Sequence, residues 1–187
     1  MSVGILLLAA GESARYRAAC GRHKLLEPVA GEPMLARSYR IARESGLPVA
    51  VVLRPQPQAL QRCVADAQQI ILPSAGIASS IAAGVAATAR WHGWVIMLAD
   101  MPWLRPATLR MVAQALSRHA RVRASWQGEP GHPVGFSRAC YAELIALRGE
   151  TAARALLARR GVQLLATDDI GAVRDVDLPA MLVNGEE

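Results

Sequence analysis

Several charged residues stand where buried chain gives way to loop, and their types suit phosphate chemistry. Asp100 closes the apolar run Val95–Ala99 and is followed at once by Met101-Pro102. A carboxylate at the end of a buried strand needs positive charge nearby to stay ionised, and a divalent cation would supply it. The alternative is a cap for the next helix, but Pro102 and the four-residue gap before Pro106 fit a cap poorly. Near the end of the chain, DVDLP sets Asp175 and Asp177 on one face of an extended segment. A carboxylate from there facing Asp100 would complete the protein's share of a Mg2+ site. Otherwise it is a solvated acidic strand end.

The opening stretch, VGILLLAAGESARYR, drives Ile5 to Leu8 inward and ends in small residues. A strand that opens into such a loop presents bare backbone N–H groups to an anion. Leu8, Ala9, Ala10 and Gly11 let a ligand approach the backbone, Ser13 is placed to cap the next helical turn, and Arg15 and Lys24 are long enough to reach phosphates. The competing reading is a plain strand-to-helix turn with surface cations. The stretch has neither GxxxxGK[ST] nor GxGxxG, which counts against the best-known phosphate loops. In PSAGIASSIAAG, Ser79 or Ser80 would cap a helix, and the small residues would line one side of a flat ligand. GEPGHPVGF is rich in turn residues, so Gly131, His132 and Pro133 are expected in a loop over the site, with no proton-transfer role for His132.

These residues need a scaffold, and the composition says which kind. The chain has 187 residues, 52% of them hydrophobic and 19% charged, so it is globular and long enough for a substantial core. With one Phe and 4% aromatics, that core must come from Leu, Val, Ile and Ala, as in sheets covered by helices. The net charge of +6 points to anionic partners. The cations are scattered, without a Lys/Arg block or interleaved aromatics, which disfavours a nucleic-acid groove. Cys20, Cys63 and Cys140 show no CxxC or metal spacing and read as reduced thiols of a cytoplasmic protein. No membrane span or secretion signal is expected, since no apolar run is long enough.

Periodicity predicts strands at Val3–Ala9, Pro48–Leu53, Gln69–Leu72, Gly93–Ala99, Val122–Trp126 and Val134–Phe136. Helices are predicted between them at Pro33–Ser45, Ala59–Ala67, Ser79–Arg90 and Pro106–His119, then at Arg138–Leu147 and Glu150–Arg160. The tail alternates through Val162–Ala166 and Val173–Val176. Strands alternating with helices imply an α/β fold, one doubly wound, mostly parallel sheet over residues 1–187. In such sheets ligands lie beyond the C-terminal strand ends. That rule selects the loops Ala9–Lys24, Pro73–Ser80 and Asp100–Pro102.

The stretches LAAGESAR with Lys24-Leu25-Leu26, GIASSIAAG, LADMP, GHPVGF and DVDLP occur in one order across nearly the whole chain. In this they resemble the MobA-like nucleotidyltransferases, and most of all the molybdenum cofactor cytidylyltransferases. The resemblance implies a Rossmann-like nucleotidyltransferase fold in which Leu8, Ala9, Ala10 and Gly11 hold base and sugar and Ser79 lies near the base. It further implies that Arg15 and Lys24 bind the triphosphate, Asp100 and Asp177 bind Mg2+, and Gly131, His132 and Pro133 face the acceptor. Relatives using GTP tend to read LAGG where this chain has Leu8-Ala9-Ala10-Gly11, so the resemblance favours CTP. Three departures stand out: YRAACGRH replaces a shorter link before Lys24, Gly149 to Arg154 reads GETAAR for GDxGAR, and the tail reads DVDLPAM for DxDTPED.

The reaction implied is transfer of CMP from CTP to the phosphate of molybdenum-carrying molybdopterin, releasing pyrophosphate, with a molybdoenzyme or cofactor chaperone as a further partner. The same chemistry with GTP or a sugar phosphate is the nearest alternative. An NADP-binding redox protein, with Arg54 meeting the 2′-phosphate, and a non-catalytic cofactor chaperone are the others.

Overall fold

The computed structural model describes residues 2–73, 76–149 and 161–183. The predicted helix Glu150–Arg160 therefore lies outside the described residues, as do Ser74 and Ala75 of the third candidate loop. In chain order the elements begin β1 (Val3–Leu8), α1 (Ala14–Cys20), β2 (Pro28–Val29), β3 (Glu32–Pro33), α2 (Met34–Glu44), β4 (Val49–Leu53), α3 (Gln58–Cys63) and β5 (Gln68–Ile71). They continue with α4 (Ile77–Ala87), β6 (Gly93–Leu98), α5 (Pro106–Ala115), β7 (Arg121–Trp126), β8 (Glu129–Ser137), α6 (Tyr141–Ile145) and β9 (Val162–Thr167), then a short terminal helix at Ala180–Val183.

Seven strands form one sheet in the order β5-β4-β1-β6-β8-β7-β9. β1 runs parallel to β4 and β6, and β4 to β5 and β7 to β9 are parallel too; β8 is antiparallel to both its neighbours. The mostly parallel α/β architecture expected from the alternation of elements is what forms. Period-two alternation sorts the strand side chains between two layers. Ile5, Leu7 and Ala9 pack with α2, α3 and α5, whereas Leu6, Leu8 and Ala10 pack with α4 and α6. Each fully buried Leu or Ile contributes about 1.5–3 kcal/mol, so β1, buried on both faces, anchors the sheet.

α4 lies close on its face of the sheet because Gly84 has no side chain. A Cβ there would come within 2.9 Å of Leu6 Cδ1 and 3.2 Å of Val52 Cγ2. This contact fixes where the start of α4 points, toward the end of β1. Connections from β1 through β5 run over the α2/α3 layer, and the next crossover, through α4, uses the other. The strand order therefore reverses between β1 and β6, and a crevice opens at their C-terminal ends.

Several expected elements differ. α1 and the β2–β3 hairpin were not legible as periodic segments. Gly131, His132 and Pro133 lie inside β8, not in a loop, because β8 begins at Glu129 and pairs with Trp126 and Ser125 of β7. Val173–Val176 is not a strand. Nor is the Arg138–Leu147 segment one helix: a 3-10 turn at Arg138–Cys140 precedes the five residues of α6.

Candidate active site

The crevice at the reversal point is a cleft of about 510 Å3. Leu8, Ala10, Gly11, Ser13 and Arg15 form one wall, Gly76, Ile77 and Ser80 another, and Lys24, Leu98, Asp100 and Asp177 close it. Ala10 is buried, with its methyl in the layer that holds Ala78 and Ile81 of α4. Gly11 faces open space, since nothing lies within 4 Å of where its Cβ would stand. Ala9 packs on the opposite layer and is not part of the wall.

Ser13 takes the left-handed backbone conformation at φ 55°, and its hydroxyl makes no cap bond. It lies instead 3.3 Å from His23 Nδ1, which also accepts from the Leu25 amide. This local network lets the extra residues before Lys24 fold back to the cleft. α4 likewise lacks the serine cap expected of it: Gly76 stands at its N-cap, with the Ser80 amide donating to Gly76 O over 3.0 Å. Ser80 lines the cleft and Ser79 does not.

Asp100 follows β6 by two residues and does not cap α5. That place belongs to Arg105, whose amide donates to Asp169, as does the Thr108 hydroxyl. The amide of Val176 donates to Asp100 O over 2.9 Å, fastening the tail beside the end of β6. One carboxylate oxygen each from Asp100, Asp175 and Asp177 then lie within 4.8 Å of one another. Burial, with Asp100 and Asp177 alongside, pushes the Asp175 carboxyl above its ordinary range. The sequence offered one carboxylate from Asp175 and Asp177 to face Asp100, and the resemblance named Asp177; the structure brings both. The tail bond that brings both to Asp100 is between backbone groups and leaves no sequence signal.

Two cations meet this cluster. Lys24 Nζ donates to Asp100 Oδ2 at 2.6 Å and to Val176 O at 3.0 Å, and lies 3.5 Å from Asp177 Oδ1. Arg15, mostly exposed, donates to Asp177 Oδ2 at 2.7 Å. Asp100 Oδ1 is buried with no partner among the described residues. Three crowded carboxylates, one with an unsatisfied oxygen and one resisting ionisation, suit a hard divalent cation with oxygen ligands.

His132 lies within β8, its Nδ1 buried and without a partner among the described residues. Burial, then Arg123, lowers its pKa from 6.5 to about 4, against an opposing pull from Asp100. Gly131 is packed rather than open: a Cβ there would collide with the Ala172 carbonyl. None of Gly131, His132 and Pro133 lines the cleft. Arg54, the residue on which an NADP reading depended, donates to Glu12 at 2.6 Å and lines a neighbouring cleft with Arg17 and His23.

The sheet order, the small-residue loop after β1 and the acidic cluster after β6 define a nucleotide-binding α/β fold of the transferase type. Residues 5–164 match the model of the MobA-like NTP transferase domain, and the chain belongs to that family. The bifunctional protein GlmU of Xanthobacter autotrophicus is 34% identical over 163 residues, covering 82% of this chain and 36% of GlmU. The chain thus spans about a third of that relative. A probable molybdenum cofactor guanylyltransferase of Opitutus terrae is 33% identical over 105 residues, covering 54% of this chain and 49% of that protein. Among solved structures, Rv0371c of Mycobacterium tuberculosis superposes with a TM-score of 0.85 at 27% identity, covering 98% of this chain and 96% of Rv0371c. Its complex with manganese gives 0.83 at 26% identity, with coverage of 98% and 97%. No helix among the described residues is long and apolar enough to cross a membrane.

Proposed function

We propose that this chain is a nucleotidyltransferase that moves CMP from CTP onto the phosphate of a molybdopterin-type acceptor, with Mg2+ and release of pyrophosphate. The observation that carries the reading is the meeting of Asp100, Asp175 and Asp177 with Lys24 and Arg15 at the mouth of a cleft floored by Ala10 and Gly11. Family membership and the manganese complex of Rv0371c support the chemistry and the metal. In this reading the 187 residues act as one domain in the cytoplasm, a location that suits three free thiols.

The proposed steps use this arrangement. Base and sugar lie along the Ala10–Gly11 backbone and the start of α4, which leaves the triphosphate pointing at Lys24 and Arg15. An acceptor phosphate oxygen forms a bond to the α-phosphorus as the bond to the β-phosphate oxygen breaks, in line with it. The acceptor is already an anion, so no protein base need take a proton. Lys24 and Arg15 offset the charge that grows on the departing pyrophosphate. A divalent cation held by Asp100 and Asp177, with Asp175 adjoining, would reduce the repulsion between the two phosphate groups.

GTP is the second reading, favoured by the guanylyltransferase relative; a sugar phosphate is the alternative acceptor class. Incubation with each NTP and Mg2+, in separate reactions with molybdenum-carrying molybdopterin and with a sugar phosphate, followed by identification of the nucleotidyl product and of pyrophosphate, tests all of these. A cytosine dinucleotide is the expected product. Nucleotide binding without pyrophosphate under any NTP would replace catalysis with a carrier role.

A further inference from the structure

Lys24 makes the contacts a metal ion at this cluster would make. Its ammonium group, 2.6 Å from Asp100 Oδ2 and 3.5 Å from Asp177 Oδ1, also takes a backbone oxygen, Val176 O, at 3.0 Å. The side chain is 14% exposed and sits between two of the carboxylates. Arg15 reaches only the outer oxygen of Asp177 and is 79% exposed. The two cations are therefore unequal: Lys24 lies inside the oxygen cluster, and Arg15 at its edge.

A divalent cation and an ammonium group cannot share such a seat, because like charges at that separation repel and the same oxygens cannot serve both fully. Lys24 must leave for the cation to enter, and a competing anion within its reach makes that departure easier. The triphosphate is that anion. We propose that Lys24 is a displaceable occupant of the metal seat: until nucleotide is bound its ammonium group holds the cation's place, and the triphosphate draws it off. The cation then binds tightly only together with nucleotide. The inference rests on the reading of this cleft as an NTP and metal site, and assigns Lys24 a gating role in addition to any contact with phosphate. Coupling between ligands of this kind commonly amounts to about 5- to 150-fold in affinity.

The sign of one measurement separates this from a plain phosphate-binding lysine. Mn2+ binding to the full chain is followed by the loss of the free-ion EPR signal, with no nucleotide present. Lys24→Met is expected to tighten Mn2+ binding about tenfold, even though it removes a nucleotide contact. Lys24→Gln, which keeps a polar head, serves should the first variant fail to fold, and is expected to act in the same direction. Arg15→Gln is expected to change Mn2+ affinity by less than either. Unchanged or weaker Mn2+ binding in both Lys24 variants would overturn the gate, as would a larger effect from Arg15→Gln. Because no nucleotide is present, this outcome is independent of turnover. Repeated with CTP, the titration is expected to show nucleotide tightening Mn2+ binding more in the wild type than in Lys24→Met, and equal tightening in both would overturn the coupling. Absent pyrophosphate release by the wild type would count against the proposed reaction, while tighter Mn2+ binding in the variants would still support the gate.

Discussion

The backbone amide of Val176 donates to the carbonyl oxygen of Asp100 over 2.9 Å, and this bond ties the tail directly to the chain at the end of β6. Val176 itself is fully buried, so the tie is also a packing contact. Its neighbours Asp175 and Asp177 are thereby held beside Asp100. Three carboxylates converge because one N–H between two of them is spent on the backbone of the third.

Removing that N–H should loosen the cluster. Val176→Pro deletes the donor and is expected to lower pyrophosphate release about 100-fold, the scale on which a displacement near 1 Å acts. Val176→Ala keeps the donor and loses only packing, so it should affect thermal stability more than turnover. Equal turnover in the two variants would show that the bond does not position the carboxylates.

Two glycines flanking the site should respond in opposite ways to one added methyl. Gly11 faces the cleft with nothing within 4 Å, so Gly11→Ala is expected to leave stability within about 0.5 kcal/mol and raise KM for the nucleotide. At Gly131 a Cβ would meet the Ala172 carbonyl and the Val173 side chain, so Gly131→Ala is expected to cost about 1–3 kcal/mol of stability through overpacking. Denaturant melts and nucleotide saturation curves on both variants check the pair.

What could be read in advance follows from which residues act locally. β1 and β6 are apolar throughout because both faces are buried, and each ends where small residues or Asp100 take over. The loops that follow β1 and β6 were therefore legible as ligand-facing strand ends, whereas the pairing of the two strands that joins those loops in one crevice was not. α1 was not, because ARYRAAC buries only Tyr16 and starts from a serine in a left-handed conformation without a cap bond. The first half of β8 was hidden by Pro130, Gly131 and Pro133, residues that normally mark turns; here Pro130 pairs with Ser125 of β7 and Gly131 packs on Ala172. The contact of Lys24 with Asp100 spans 76 residues, and no period or spacing encodes it.

His23 should make stability depend on pH. Burial, with Arg17 and Lys24 nearby, lowers its imidazole from 6.5 to about 4, and the ring accepts the Leu25 amide at Nδ1. The folded protein thus binds fewer protons than the unfolded chain between those values. Stability is full above pH 6.5 and falls as pH drops toward 4, by no more than about 1.4 kcal/mol per pH unit for one such group. His132, also lowered to about 4, adds in the same direction. Melting temperature from pH 7.5 to 4.5 should fall less steeply in His23→Gln than in the wild type; parallel curves would mean that His23 takes up its proton equally in the folded and unfolded states.

Base choice is expected to rest on Ala10. Its side chain is 4% exposed, in the layer that holds Ala78 and Ile81, yet Ala10 also lines the cleft beside Gly76, Ile77 and Ser80. A methyl there narrows the gap between the β1 loop and the start of α4, which should hinder a purine more than a pyrimidine. One carbon in a close-fitting pocket discriminates by about 1–3 kcal/mol, or roughly 10- to 200-fold. Ala10→Gly is therefore expected to narrow the preference for CTP over GTP, chiefly by raising kcat/KM for GTP. The substitution also costs about 0.5–1 kcal/mol in backbone entropy, which lowers stability but acts equally on both nucleotides. If Ala10 only packs the strand end, specificity lies elsewhere on the wall, where Ser80 and Ile77 of α4 also line the cleft. Measuring kcat/KM for CTP and GTP in wild type and Ala10→Gly separates the two accounts, and an unchanged ratio would move base selection from β1 to α4.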